Sequence, residues 1–580
     1  MKQNHRKYNH VESEHFSFLK KITDEKYAIL FFICLAFFVR LYRINYPLAD
    51  WHSFRQVDTA SVTREYVKNG IDILHPKYHD LSNVQSGSRT NIGFYRTFLI
   101  SLEKYPTLHR TYHQINGIRK TITSPVTNIF LPQSEQKSEE TEPTPTDLPD
   151  NVDGWRMVEF PFINAGIAVI LRIFPQLPLV PTSRFVSVLF SIGTLFFLYK
   201  FVKDLSGKNV AFISALTFAV LPYSIYYSRA ILPEPGMLFF SMFSIWAFNS
   251  WLQSRNKVFF LYSVTGFALA LLLKPFVLFI LPVYLALFLQ KTKFNLLKLL
   301  SLGLFLIFSI IPLYYWRKWI QAFPSGIPAS DWLYNSNGIL FRPSWFYWLG
   351  YQRITKLFLG YFGLIFLMLS FIPLSLSKVK NFKIKELIKR FITSSYFILI
   401  SWWLGILGYF VIIATGNVQH DYYQNLLLPL ICWSVGIGSL HTHKILEKFF
   451  QNKKLLSINM SVIGVVILYV LMIQQSWGQV AGYFNVNRWD YVEAGKFVDD
   501  STPSDAKIIA PALGDTTFLF QTNRTGWPVG SNIDQKIANG ANYYVTVNYD
   551  DEARELEQKY EVVEKNKDFL LLKLIKKNEY

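Results

Sequence analysis

The sequence predicts an α-helical integral membrane protein of about 11 spans, with a large loop after the first span and a small soluble α/β domain at its C-terminal end. Three observations carry that prediction. Of the 580 residues, 51% are apolar and only 17% charged, against about a quarter charged in ordinary soluble domains. The apolar residues come in unbroken blocks such as AILFFICLAFF and LLKLLSLGLFLIFSIIPLYY, not at amphipathic spacing. The segments between blocks alternate between basic and Lys/Arg-poor, as the positive-inside rule requires. Basic cytoplasmic loops also account for the net charge of +19, so nucleic acid is not expected as a partner. The two cysteines, Cys34 and Cys432, lie inside apolar blocks, which argues against a disulfide framework and against a cysteine-built metal site.

Residues 1–26 are polar and basic and are expected to be a cytoplasmic tail. The first span covers 27–44. It ends in VRLYRINYP rather than in small residues suited to cleavage, so it reads as a retained span and not as a secretory signal. Residues 45–183 form the first loop. Within it, about 82–153 changes character: QSEQKSEETEPTPTDLPD is acidic and rich in Pro and Thr, a composition that cannot bury enough surface to fold and predicts a disordered insertion. Residues 184–475 hold the remaining spans. Basic segments such as KFVKDLSGK, KTKFNLLK and KVKNFKIKELIKR belong inside, and IYYSRAILPEP and TGNVQHDYYQN outside. This topology puts the N-terminus in the cytoplasm and residues 476–580 on the extracytoplasmic side of the cell membrane. That tail alternates helix-like stretches (YVEAGKFVDD, DDEARELEQKY) with β-rich ones (AKIIAPA, ANYYVTVN, DFLLLKLI), which predicts the small α/β domain.

Five polar clusters share the predicted outer side. The first, LADWHSFRQVDTASVTREYVKNG, brings Asp50, His52, Arg55, Asp58, Arg64 and Glu65 together just past the first span. Interfacial charges alone would explain it, but carboxylates, a histidine and arginines interleaved with Trp51 and Phe54 fit a lined pocket as well. The second, GWRMVEFPFIN, holds Arg156 and Glu159; the third, YYSRAILPEPG, holds Arg229 and Glu234. The fourth is Lys274 in LLLKPF, at a break between apolar runs where an ammonium needs an anion, a water-filled route or an interface to snorkel to. The fifth, QHDYYQN, offers His420, Asp421, Tyr422 and Tyr423, with the tyrosines also serving as interfacial anchors. No ionisable residues are strung through span interiors, as a proton or ion relay requires. No Walker-type, dinucleotide-binding or HExxH pattern is present.

These features together resemble the polyprenyl-phosphate-sugar-dependent glycosyltransferases of the GT-C type, the superfamily of protein O-mannosyltransferases and aminoarabinose transferases. WHSFRQVDTASVTREY is similar to the WRQxDTA signature of a bacterial branch, and the segment from Arg184 to Glu234, the Lys-Pro between spans and the HxYYQ loop extend the likeness over nearly the whole chain. The resemblance implies transfer of a sugar from a polyprenyl-phosphate donor to a protein, lipid or glycan acceptor on the extracytoplasmic face, with inversion at the anomeric carbon and an Asp as general base. Asp50 is the candidate base and Asp58 its rival, because the adjacent Asp-Glu pair of relatives is replaced near this position by Arg55 and Gln56. It further implies that His52, Arg55, Glu159, Arg229, Glu234, Lys274, Arg353, His420, Tyr422 and Tyr423 bind the donor phosphate or the acceptor. Phosphate departure requires preorganised positive charge, for which Arg and Lys are the suitable donors. A divalent metal near Asp50 and Asp58 is compatible with the sequence, although no ligand spacing demands one. The aromatic-rich loop from Arg317 to Arg353 is expected to form a flap over the donor site. Two other readings stand beside this one: a ligase or polymerase moving a lipid-linked glycan as a block, and a non-catalytic lipid or polysaccharide transporter, which would show internal repeats and polar span interiors.

Overall fold

The computed structural model describes residues 25–82, 150–292, 296–335, 338–372, 384–451, 453–455 and 458–577. Apart from its ends, the insertion expected at about 82–153 lies outside them. Among the described residues, the long apolar blocks fall on helix. Helix α1 (Glu25–Arg40) is followed by α2 (Ser53–Asn69) and α3 (Phe162–Ile173) of the first loop. Then come α4 (Leu179–Ser206), α5 (Lys208–Val220), α6 (Pro222–Arg229), α7 (Glu234–Ser254), α8 (Lys257–Leu273), α9 (Leu281–Lys291) and α10 (Leu296–Trp319). Short 3₁₀ turns lead to a π-helical stretch, Tyr347–Leu359, that runs into α11 (Gly360–Ser370); α12 (Ser395–Ile412), α13 (Leu428–Phe450) and α14 (Met460–Val480) follow. Among the described residues, six helices are long and apolar enough to cross a membrane, with a seventh if α5 and α6, bent by 62° at their junction, form one broken span. Helix α8 and the stretch Pro275–Lys291 are apolar but shorter.

Prolines make the breaks. Leu221 and Lys274 each precede a proline and are extended (φ −63°, ψ 122° and φ −150°, ψ 114°), because proline's ring disfavours the helical conformation of the residue before it. Pro222 also has no N–H to give the carbonyl of Phe218. Arg40, fully buried at the end of α1, supplies the missing donors: its guanidinium bonds the carbonyl oxygens of Phe218 and Ala219 at 2.9 Å each and the Ser224 hydroxyl at 2.9 Å. The first helix is thereby fixed to the broken span. Elsewhere the helices approach closely. A Cβ at Gly438 of α13 would lie 1.8 Å from the carbonyl oxygen of Phe366 in α11, so only glycine permits that contact.

The C-terminal domain is the small α/β unit that the sequence predicts. After α15 (Trp489–Ser501), strand β1 (Lys507–Ile509), the short helix α16 (Thr517–Gln521), β2 (Thr525–Trp527), β3 (Tyr543–Thr546), β4 (Tyr560–Lys565) and β5 (Leu570–Lys576) build a sheet of order β2-β1-β3-β5-β4. Strands β2, β1 and β3 are parallel, and β5 is antiparallel to both its neighbours. Side chains alternate across it: Ile509, Tyr544 and Leu572 enter one core, Ile508, Val545 and Leu571 the other. The first loop continues the sheet beyond β2. Leu81 N–H donates to the Gly526 carbonyl at 2.7 Å and Gly526 N–H to the His79 carbonyl at 2.9 Å, which covers an otherwise exposed edge.

Helix α2 lies between this domain and the apolar helices. It is polar in sequence, yet Arg55, Gln56, Asp58, Arg64 and Glu65 are all buried on it. Asn164 of α3 holds it from a third side, donating to the Thr59 carbonyl at 2.7 Å. Replacing Arg40 by Met should strip the Ala219 carbonyl of its partner and the Phe218 carbonyl of one of two. At about 1–3 kcal/mol per buried unsatisfied group, this gives a loss of about 2–3 kcal/mol, readable as a lowered unfolding temperature in detergent micelles. An unchanged midpoint would contradict this role of Arg40.

Candidate active site

Three buried polar networks radiate from the start of α2, and they divide the sequence-predicted residues among them. The first surrounds a cavity of about 340 Å³. Arg55 and Asp58, three residues apart on α2 and so on one face of it, line it together with Arg156 and Glu159 from the loop before α3, Lys274 from the break after α8, Arg317 near the end of α10, and His420, Tyr422 and Tyr423. The segment Ile327–Tyr334 of the aromatic loop closes one wall. Arg156 donates to Asp58 Oδ2 at 2.8 Å and the Thr516 hydroxyl to Asp58 Oδ1 at 2.8 Å. Arg55 is hydrogen-bonded to Glu159. Lys274 Nζ lies 3.1 Å from Glu159 and 3.5 Å from Glu234, and the second carboxylate oxygen of Glu234 is buried without a partner.

Charge in this cavity is unbalanced. Arg55, Arg156, Lys274 and Arg317 face it, against the carboxylates of Asp58 and Glu159 and that of Glu234 behind Lys274, so cations exceed anions by one even with His420 neutral. Burial would raise the Glu159 carboxyl, but Arg55 and Lys274 beside it outweigh that and hold it well below the usual carboxylate range. Burial, reinforced by the positive surroundings, pushes His420 down to about 4, so its ring is neutral at neutral pH and its Nδ1 is buried without a partner.

The second network encloses Asp50. Its Oδ2 accepts from Arg184 and Arg229 at 3.0 Å each and its Oδ1 from Gln56 at 2.8 Å. Asp50 and both arginines are buried, and Asp50 does not line the cavity. The third centres on Asp421, which accepts from His52 Nε2 at 2.6 Å, Trp51 Nε1 at 3.1 Å and the Tyr483 hydroxyl at 2.5 Å, and also from Tyr227. Arg353 stands 3.7 Å away. His52 begins α2 with a left-handed backbone, φ 53°, a conformation uncommon outside glycine and concentrated at functional sites.

Of the sequence-predicted residues, the cavity therefore gathers Asp58, Arg55, Glu159, Lys274, His420, Tyr422 and Tyr423, with Glu234 behind Lys274. Asp50 and Arg229 share one separate ion-pair cluster, His52 and Arg353 another. Arg184, Arg317 and Thr516 lie outside the expected site residues, and Arg156 and Asp421 stand in two of the polar clusters without a role assigned to them. Arg156 sits in the same short polar cluster as Glu159 and was findable; Thr516, in a tail with no chemical motif, carried no signal. A divalent ion does not fit these residues: Asp50 and Asp58 are each engaged by guanidinium groups, and among the described residues no three His, Cys, Asp or Glu side chains gather as ligands.

A family model described as dolichyl-phosphate-mannose-protein mannosyltransferase matches residues 161–316. In structure the chain is similar to ArnT from Cupriavidus metallidurans in the apo state, with TM-score 0.52 and 10% identity over 94% of this chain and 97% of that one. It is likewise similar to the same protein bound to undecaprenyl phosphate, with TM-score 0.50 and 10% identity over 95% and 98% of the two chains. No curated protein matches at the level of sequence.

The depressed His420 pKa fixes a pH dependence of stability. The unfolded chain, with an ordinary histidine near 6.5, binds the proton before the folded one does, so stability is complete above about pH 6.5 and is lost as pH falls toward about 4. Between neutrality and pH 5 this amounts to about 2 kcal/mol. His420→Gln should flatten that part of the curve, measured as unfolding temperature against pH; an equal acid loss in both proteins would contradict it.

Proposed function

We propose that the chain is a membrane glycosyltransferase of the GT-C type, the fold it shares with ArnT, and that it transfers a sugar from a polyprenyl-phosphate donor to an acceptor hydroxyl in the cavity beside α2. The observation that carries this reading is the excess of cations in a buried cavity that opens among apolar helices. A phosphate with an apolar tail satisfies both features: the headgroup neutralises Arg55, Lys274 and Arg317, and the prenyl chain lies along the helices. The undecaprenyl phosphate in the ArnT structure and the dolichyl-phosphate-mannose in the family description support the same donor class.

In this reading the acceptor oxygen attacks the anomeric carbon from the face opposite the phosphate. Its proton passes to Asp58 while the bond between the anomeric carbon and the phosphate oxygen breaks. The electron pair leaves with the polyprenyl phosphate, and the anomeric configuration inverts. Asp58 is favoured as base over Asp50 because it lines the cavity, whereas Asp50 is closed in by two arginines and Gln56. It is favoured over Glu159 because Arg55 and Lys274 bind that carboxylate and make it a weak proton acceptor. Arg55, Lys274 and Arg317 are preorganised toward the leaving phosphate, with Glu159 and Glu234 setting the positions of Arg55 and Lys274. His420, Tyr422 and Tyr423 offer hydrogen-bonding and stacking groups to the sugar. In this reading the tail domain and the cavity lie on the extracytoplasmic side, which the charge pattern of the loops supports.

The test is release of polyprenyl phosphate from a panel of polyprenyl-phosphate sugars by the purified protein in lipid nanodiscs. Asp58→Asn should slow release about 10²- to 10⁴-fold, the range of a lost general base, while donor binding survives. Asp50→Asn should chiefly lower the unfolding temperature, since it leaves two buried guanidiniums facing a neutral amide. Wild-type turnover in Asp58→Asn, or lost turnover in a fully stable Asp50→Asn, would contradict the assignment.

A further inference from the structure

The C-terminal domain does not line the cavity, but one of its side chains bonds a residue that does. Helix α16 and the residue before it press against α2 through a run of specific contacts. The Thr517 hydroxyl donates to Ser53 Oγ at 2.9 Å, Arg64 donates to the Phe520 carbonyl at 2.9 Å, and Gln521 Nε2 donates to the Leu48 carbonyl at 2.9 Å. Phe520 packs with Leu48, Val57, Ala60 and Ile231. These contacts dock a domain and nothing more. Thr516 differs from them. Its hydroxyl, buried with the rest of the side chain, reaches Asp58 Oδ1 at 2.8 Å, and its carbonyl accepts from His79 Nε2 at 3.1 Å. The first loop thus fixes the backbone that aims the hydroxyl.

We propose that Thr516 is a positioning residue for the reaction: the soluble domain holds the Asp58 carboxylate, through this hydroxyl, in the orientation that receives the acceptor proton. The inference rests on the reading of Asp58 as base. Two donors, Arg156 on Oδ2 and Thr516 on Oδ1, fix both rotation and tilt of the carboxylate. Each oxygen keeps a second lone pair for the incoming proton. With Arg156 alone the group turns about its remaining bond, and a catalytic group out of place by about an ångström loses a large part of its rate. Other charged or titratable groups near Asp58 include Arg156 and Asp80 from the first loop, Tyr78 beside Asp80, and Arg55 on α2 itself. None of them belongs to the tail domain.

The experiment compares Thr516→Val, Thr516→Ser and Thr517→Val with wild type and Asp58→Asn in the full-length protein, following polyprenyl-phosphate release against pH in nanodiscs together with unfolding temperature. Thr517→Val removes a docking hydrogen bond of the same helix without touching Asp58. Thr516→Val should lower kcat about tenfold with KM for the donor unchanged. Thr516→Ser should restore kcat, and Thr517→Val should keep the wild-type profile. Equal losses in Thr516→Val and Thr517→Val would reduce Thr516 to docking and overturn the proposal, as would a Thr516→Val profile identical to wild type. Wild-type release by Asp58→Asn would instead remove the base assignment beneath it.

Discussion

Helix α2 carries charges that no apolar environment accepts alone, yet it is buried between the helical bundle and the tail domain. Isolated buried ions are prohibitive, so every neighbouring element must bring it a partner. The loop before α3 brings Arg156 to Asp58 and Glu159 to Arg55. The short helix α16 brings the Phe520 carbonyl to Arg64, and α4 and α6 bring Arg184 and Arg229 to Asp50 at the base of α2. Because these partners come from segments far apart in sequence, satisfying α2 assembles the molecule around it. The cavity is the place where the matching is left incomplete, with cations in excess.

In the proposed reading, that incompleteness separates structure from chemistry among groups of the same kind. Asp50 and Asp58 stand eight positions apart in one motif, and both accept from arginine. Asp50 has its two arginines and Gln56 on all sides and holds the first loop to the bundle. Asp58 has one arginine, one hydroxyl and an open face. The His52–Asp421 pair behaves like the Asp50 cluster, saturated by Trp51, Tyr227 and Tyr483, and anchors the left-handed turn that begins α2.

Much of the fold was legible in the sequence because its signals are local. Apolar blocks mark helices, Lys274 before a proline marks a break, and the alternating β-rich and helix-like stretches of the tail mark a small sheet domain; the break at Leu221, inside one apolar block, emerges only in the structure. The site was legible in part. Arg55, Asp58, Glu159, Lys274, His420, Tyr422 and Tyr423 do converge on one cavity, since short polar clusters between apolar blocks end at a common depth. What sequence did not resolve was the sorting of Asp50 from Asp58, which depends on Arg184 and Arg229 meeting one and not the other across separate helices. Thr516 was invisible for the same reason: one hydroxyl among many in a soluble tail acquires meaning only through the contact that folding gives it.

The central claim is that the surplus positive charge beside Asp58 is a phosphate site. A cryo-electron microscopy structure of the wild-type protein in nanodiscs with undecaprenyl phosphate tests it directly. The account predicts phosphate density within hydrogen-bonding distance of Arg55, Lys274 or Arg317, with the prenyl chain leaving between the apolar helices. Phosphate bound at another position, such as the Arg184–Arg229 cluster around Asp50, with the cavity unchanged, would contradict it.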